Sequence, residues 1–274
     1  MGEAFIAHRI STLQGTAYAR NILDNSDFTN PVNQRGDTSY SGSCYNIDRW
    51  RTFLNDNVVT VQDGYIHQTG TQLLQNIEAT KIDNNKVYTF AACKVDGTIR
   101  VTSGIFANAF GDSYLSCYLV SSTGVPRCTL NESDGYKWAA LYDGEYTAET
   151  LPEYQPKGYA AELAECMRYY IRYYAASDMQ FLVGGSNGTS LYAPFLLPTK
   201  MRVWPTLNYN NVNIYNYKSG GKVAITSMSI SGGGNTNNAY AIVANHATDS
   251  SLTAQTVAAI RILSGGYIEL SADL

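Results

Sequence analysis

Charged side chains are scarce in this sequence. They make up only 15% of the 274 residues, against about 25% in an average globular protein. The formal net charge is -4, and lysines and arginines nowhere gather beyond a local pair. A nucleic-acid-binding surface needs concentrated positive charge to neutralise phosphates. The composition therefore speaks against a nucleic-acid partner.

Long apolar runs are also missing. A membrane-spanning helix needs roughly 18 or more apolar residues in succession, and no stretch approaches that length. The opening segment 1–6 has neither the basic start nor the apolar run of a secretion signal. We therefore expect that the protein is made in a cytoplasm and is not inserted into a membrane.

Cysteine is sparse and irregularly spaced. There are five cysteines, none in a Cys-x-x-Cys pair, so a disulfide framework or a zinc site is not expected. Buried thiols are the simpler interpretation. A bridge between Cys117 and Cys128 across a hairpin is the alternative.

Catalytic motifs are absent as well. The sequence has no Gly-x-Ser-x-Gly, no His-Glu-x-x-His and no phosphate-binding loop, and its three histidines have no motif neighbours. Glycan-cleaving enzymes use paired carboxylates. The carboxylates best spaced for this role have turn-like neighbours and are interpreted as turn formers: Asp112, Glu132, Asp134 and Asp143. We expect a protein that binds and does not catalyse.

Glycine (23 residues) and tyrosine (22 residues) are abundant, and Val, Ile, Thr, Tyr and Asn recur in short bursts. Such bursts, separated by Asp-Gly and Asn-rich turns at intervals of roughly 8–12 residues, predict strands of a sandwich or jelly roll. The fold class is therefore all-β. Clear strand patterns include 58–62, 86–95, 98–102, 114–120 and 136–142.

One segment is helical. Tyr159–Tyr170 places Leu163, Cys166, Met167 and Tyr170 at the spacing of an amphipathic stripe. We expect this stripe to be buried. The organisation that follows is an arm at 1–20, a jelly-roll, carbohydrate-binding-like domain at 21–155, a helical hinge at 156–168 and a β-sandwich tip domain at 169–274.

The second β region gives two precise expectations. Phe181–Val183 should end as a strand at Gly184-Gly185, because glycine weakens strands. Lys222–Ile230 alternates, which predicts Val223, Ile225, Ser227 and Ser229 on one face.

Three motifs resemble a known family. They are Asn21–Gly36 followed by Tyr45–Trp50, then Tyr159–Tyr170 with its Glu-Leu-x-x-Cys-x-Arg-Tyr-Tyr core, then Met201-Arg202 followed by Pro205-Thr206. In this order they resemble tail-fibre and related virion fibre proteins of bacteriophages and prophages, over roughly residues 20–210. The resemblance implies a carbohydrate-binding-module-like jelly roll first and a β tip domain that assembles as a homotrimer.

It also implies a virion location after synthesis in a host bacterial cytoplasm. The arm at 1–20 is either a frayed terminus or a segment that attaches the protein to other virion proteins and orders only on them. The tip would bind a host cell-surface glycan. A purely structural capsid or tail decoration is the alternative, and a glycan depolymerase is a third.

Two candidate sites lie in the first domain. Asp48-Arg49-Trp50 either binds a sugar or fills the core, with Asp48 paired to Arg49 or to a turn amide. Asp27, Asn30 and Asn33 either cap turns or hold a structural calcium ion. No other cofactor is expected.

The favoured ligand-binding segment lies in the second domain, where aromatic rings are interleaved with asparagines. Aromatic faces stack on pyranose rings, and amides both donate to and accept from sugar hydroxyls. A polar edge strand plus a trimer interface is the structural alternative, and the loop Ser231–Asn238 either completes the site or is a flexible turn. The candidate ligand-binding residues are Trp204, Tyr209, Tyr215, Tyr217, Asn211 and Asn213.

Overall fold

A computed structural model of the chain describes residues 19–232, 239–246 and 252–273. Within these ranges strands dominate and a single α-helix, Tyr159–Cys166 (α1), occurs, which confirms an all-β fold with one short helix. No helix in the described part combines the length and apolar character that crossing a bilayer requires. The chain divides into two compact units between Leu163 and Ala164, inside the stretch 156–168 expected to be a hinge.

The first unit consists of two antiparallel sheets. Its strands are β1 (Ser39–Ser41), β2 (Arg51–Thr52), β3 (Val58–Gln62), β4 (Tyr65–Thr69), β5 (Leu73–Asn76), β6 (Val87–Lys94), β7 (Ile99–Ile105), β8 (Phe110–Gly111), β9 (Leu115–Leu119), β10 (Pro126–Leu130) and β11 (Gly135–Asp143), with short 3-10 helices at Ala79–Lys81 and Phe106–Asn108. One sheet has the order β1-β3-β4-β11-β6-β7, and the other β2-β5-β10-β9-β8.

The core of this unit lies between the two sheets. Alternate residues of each strand point inward, so Phe90 and Leu141 from one sheet meet Leu115 and Leu130 from the other. Trp50 is fully buried among them, with its ring 5.1 Å from that of Phe28 in an edge-on arrangement. Burying a side chain of this size stabilises the fold by roughly 2–3 kcal/mol.

The second unit is a closed barrel. Its strands are β12 (Tyr170–Tyr174), β13 (Met179–Asn187), β14 (Ser190–Leu196), β15 (Thr206–Asn216), β16 (Gly221–Ser231), β17 (Ala239–His246) and β18 (Ala254–Ser271). The sheet order is β12-β18-β13-β14-β17-β16-β15, and β15 also pairs with β18. Where we expected a two-sheet sandwich, one sheet closes on itself.

Closure depends on the 18 residues of β18. Along one side β18 pairs with β15, and along the other it pairs first with β13 and then with β12. Side chains alternate between the interior and the outer surface. On β14, for example, Leu191, Ala193 and Phe195 are buried in the barrel, whereas Tyr192 and Leu196 are exposed.

Two expectations for the barrel are wrong. β13 continues past Gly184-Gly185 and ends at Asn187. Glycine is required at position 184 because the backbone of β14 is so close that a Cβ there would lie 2.1 Å from the Tyr192 carbonyl oxygen. On β16 the register shifts between Ile225 and Ser227. Beyond this bulge Met228 and Ile230 pack on the core, while Ser227 and Ser229 are exposed.

The stripe that begins in α1 is buried unevenly. Cys166 and Tyr170 are buried, whereas Leu163 and Met167 are half-buried. All five cysteines are free thiols, and Cys44 alone among them is not buried. The arm at 1–20 lies outside the described residues except for its last two positions.

Candidate functional site

The Asp48-Arg49-Trp50 triplet is part of the core and is not displayed to a ligand. All three side chains are at most 2% exposed. The Trp50 indole donates to the Asn25 carbonyl oxygen at 2.8 Å. Asp48 accepts a hydrogen bond from the backbone amide of Gln34, in a turn, at 3.3 Å, which is one of the two expected partners, and it pairs with Arg35 at 3.2 Å. The structural interpretation of this triplet is the one that the geometry supports.

Arg49 pairs with Asp24, at 3.2 Å. The ammonium group of Lys81 lies 2.8 Å from the same carboxylate, and that of Lys157 lies 3.8 Å away. Burial alone would raise the pKa of Asp24, but the charges of Arg49 and Lys81 outweigh it and lower the pKa from 3.8 to about 2. The motif that begins at Asn21 therefore contributes Asp24 to a buried cluster of charged side chains, which we call the Asp24 cluster.

A cavity of about 290 Å³ lies beside the Asp24 cluster and is lined by Arg20, Asn21, Ile22, Lys81 and Lys157. Its basic character suggests an anion site at first sight. However, both lysines already face the Asp24 carboxylate. The cavity therefore gives weaker support for ligand binding than the surface of the second unit.

The loop residues considered for calcium serve the local backbone. Oδ1 of Asp27 accepts from the amide and the hydroxyl of Thr29, at 3.1 and 2.6 Å. Oδ1 of Asn33 accepts from the amide of Gly36 at 3.1 Å, while Asn30 donates its amide to the Asp27 carbonyl. Across the described ranges, no group of three or more His, Cys, Asp or Glu side chains is placed to hold a metal ion.

The carboxylates considered for catalysis have structural partners. Asp112 accepts from the amides of Tyr114 and Leu115, as a turn former does. Glu132 and Asp134 both pair with Lys94. Hydrogen bonds from Lys94 to Asp134 and then to Glu132 raise the pKa of the lysine, in spite of its burial.

The outward face of β15 and the residue that follows it carry the aromatic and amide side chains of the favoured segment. We call this surface the β15 strip and define it as Asn208, Asn210, Asn211, Asn213, Tyr215 and Tyr217. At about 3.3 Å per residue it extends roughly 30 Å. The Tyr215 and Tyr217 rings meet edge-on with centroids 5.5 Å apart, and Tyr217 is 44% exposed.

Residues from β18 and from the segment around β13 frame this tyrosine pair. The guanidinium of Arg261 lies 5.5 Å from the centre of the Tyr215 ring and pairs with Asp178 at 2.9 Å. The Tyr217 hydroxyl donates to Oε1 of Gln180 at 2.8 Å. These contacts fix the ring orientations while one aromatic surface remains exposed.

The amides are held in different ways. Asn211 donates to the Ser264 carbonyl at 3.0 Å. Asn213 lies directly across from Arg261 and is 8% exposed, and its side-chain oxygen has no hydrogen-bond partner in the described residues. This oxygen is itself buried and is not displayed to a ligand, whereas the side chains of Asn210 and Asn211 are exposed.

A second aromatic cluster flanks the other end of the strip. Pairing across β12, β18 and β15 puts Tyr174, Tyr267 and Asn210 in one row. The adjacent row contains Arg172 and Glu269, and the Arg172 guanidinium lies 4.2 Å from the Tyr267 ring centre. Tyr174 is 57% exposed. Ring faces, amides and charges therefore continue along the whole strip.

Four of the six candidate ligand-binding residues come together in the strip: Asn211, Asn213, Tyr215 and Tyr217. Tyr209 packs against the barrel core instead. Trp204 precedes the opposite end of β15 and packs edge-on against Tyr240, with centroids 5.4 Å apart. In the loop Ser231–Asn238, positions 233–238 lie outside the described residues.

Sequence reasoning missed Arg261, Asp178 and Gln180. No local motif marks them, because they reach the strip from other strands through the barrel's pairing.

Comparison of the chain with protein families, with characterised proteins and with solved structures finds no match. The fold itself is an all-β one in two units, with the barrel presenting the candidate surface.

Proposed function

We propose that the protein is a structural fibre protein of a bacteriophage virion whose β15 strip binds a host cell-surface glycan. The observation that carries this proposal is the tyrosine pair on the same strip as the exposed amide side chains of Asn210 and Asn211. A pyranose ring stacks its C–H face on an exposed aromatic ring, and its hydroxyls need both donors and acceptors. The strip offers both within one row of side chains.

The shape of the strip favours an extended ligand. A row of side chains roughly 30 Å long exceeds what a single sugar ring covers. The surface is also nearly balanced in charge, since Arg261 faces Asp178 and Arg172 lies in the row of Glu269. A neutral oligosaccharide segment fits such a surface better than a polyanion does.

Support for the virion assignment comes from the order of the three fibre-like motifs. In that role the arm attaches the protein to the particle, and three copies multiply weak sites by avidity. Individual affinities near the millimolar range, typical of shallow exposed sites, would then suffice for attachment.

The test is glycan-array binding of the full chain and of two variants. Tyr217→Ala should reduce binding about tenfold or more, the loss expected for a stacking ring. Trp204→Ala is the matched control, because Trp204 has the same 44% exposure but lies beyond the opposite end of β15. Equal loss from both variants would remove the strip from the proposal.

Two further results would replace the proposal. A chain that binds no glycan on the array but assembles on particles would favour a purely structural decoration. A fall in polysaccharide viscosity on incubation would favour a depolymerase. Light scattering tests the trimer, and a monomer at micromolar concentration would contradict it.

A further inference from the structure

Two cysteines in the core of the first unit are direct cross-strand partners. Cys117 on β9 pairs with Cys128 on β10, and their sulfur atoms lie 3.0 Å apart. Both side chains point into the core and are fully buried. The glycan-binding proposal assigns them no role.

The hydrogen-bond pattern of this strand pair fixes the type of position that they occupy. The Val120 amide bonds to the Val125 carbonyl, and the Asn131 amide bonds to the Tyr114 carbonyl. Hydrogen-bonded and non-hydrogen-bonded pairs alternate along an antiparallel ladder. Counting from either end makes Cys117 and Cys128 a non-hydrogen-bonded pair.

That position suits a disulfide. In a non-hydrogen-bonded pair the Cα atoms are about 4.5 Å apart and the side chains are at their closest. Disulfides occur at Cα separations of about 4.4–6.8 Å. The two strands therefore hold the cysteines within bonding range before any bond forms, and closure needs no movement of the backbone.

The pair lies one strand in from the edge of its sheet. Cys117 pairs with Phe110 of β8, a two-residue strand at the edge of the sheet. Burial raises the pKa of the Cys117 thiol well above 9, and the neighbouring Cys128 adds to this effect. The closed fold thus keeps the thiol protonated, and reaction requires local opening of the first unit or an unfolded chain.

We propose that Cys117 and Cys128 form a redox-responsive disulfide, which closes when the protein meets a low-molecular-weight disulfide such as oxidised glutathione. One cysteine thiolate attacks the reagent, forms a mixed disulfide and releases one thiol. The second thiolate then displaces the other half of the reagent. The protein gains one S–S bond, the reagent loses one, and the two cysteine protons pass to the two released thiols.

The experiment uses the full chain, purified in reductant. One sample is incubated with oxidised glutathione, and a second is refolded from denaturant in a glutathione redox buffer. Free thiols are alkylated and the unreduced protein is digested with trypsin. Because Arg100, Arg127 and Lys137 bound the two cysteines, they fall in separate peptides, 101–127 and 128–137. We expect these to appear as one linked species, lighter than their sum by two hydrogen atoms.

Variants make the result specific. Cys93→Ser should leave the linked peptide unchanged, and Cys128→Ser should abolish it. Closing a loop of about a dozen residues should raise the melting temperature of the first unit by roughly 10 °C on oxidation, and Cys128→Ser should show no such rise. Alkylation of both cysteines in both samples, or linkage of Cys117 to other cysteines as often as to Cys128, would overturn the proposal.

Discussion

Asp24 and Arg49 form an ion pair inside the first unit, with 3.2 Å between the carboxylate Oδ2 and the guanidinium Nε and both side chains at most 2% exposed. Lys81 completes the arrangement from the surface side. This carboxylate stabilises the first unit only while it is ionised, because both of these partners are positively charged.

We expect the first unit to lose stability in acid because of this carboxylate. The folded pKa of Asp24, about 2, lies below the unfolded value of 3.8. The stabilisation is therefore complete above about pH 4 and is lost as the pH falls toward 2, by about 2 kcal/mol. Urea denaturation between pH 2 and pH 6 measures it. Asp24→Asn should flatten the curve in this range, and an unchanged slope would contradict the assignment.

Asp24→Asn should also destabilise the first unit at neutral pH by about 3–5 kcal/mol, because the change removes the carboxylate that pairs with the buried Arg49 and with Lys81. Asp143→Asn is the matched control. Asp143 pairs with Lys86 at 3.8 Å, and both side chains are more than half exposed. Its loss should change the free energy of unfolding by less than about 0.5 kcal/mol.

Adjacent glycines of β13 should respond in opposite ways to alanine. Gly184→Ala places a methyl group 2.1 Å from the Tyr192 carbonyl oxygen and should cost the barrel at least about 1–3 kcal/mol. At Gly185 a Cβ meets open space, so alanine there should be neutral or slightly stabilising. Thermal melting of the two variants compares them. Similar losses would mean that β14 does not approach Gly184 as closely as described.

Trp50→Phe should destabilise the first unit by roughly 2–4 kcal/mol. The change removes the hydrogen bond to the buried Asn25 carbonyl and leaves a cavity in the core. Trp204→Phe, at a half-exposed position, should change the stability of the barrel by less than about 1 kcal/mol. Denaturant titrations followed by circular dichroism provide the comparison, and equal costs would show that Trp50 is not a core residue.

The sequence predicted the chemistry of β15 better than its geometry. Tyr209, Asn211, Asn213, Tyr215 and Tyr217 all have odd numbers, so an ideal strand would place them on one face. The register shifts between Asn210 and Val212, and Asn211 has a φ of +51°. This bulge exchanges the inward and outward positions of the strand. The Tyr209 side chain therefore points into the barrel, whereas those of Tyr215 and Tyr217 point outward. Nothing local in the sequence marks the bulge.

Local patterns succeeded where the structure is local. The strand Val58–Gln62 was predicted at its observed bounds, and the helical stripe located α1. Barrel closure depends on pairing between β15 and β18, which lie far apart in the chain. Alternation identifies a strand but not its partner, so the same pattern is compatible with a sandwich and with a barrel.

The position of β18 in the chain has a consequence for biogenesis. This strand is the hydrogen-bonding partner of β12, β13 and β15, all of which leave the ribosome earlier. Until residues 254–271 emerge, those strands have unpaired edges and an open interior. The barrel therefore completes its folding only after β18 has been translated, through slow, long-range pairing. Its aggregation-prone interval falls between the synthesis of β12 and the arrival of β18.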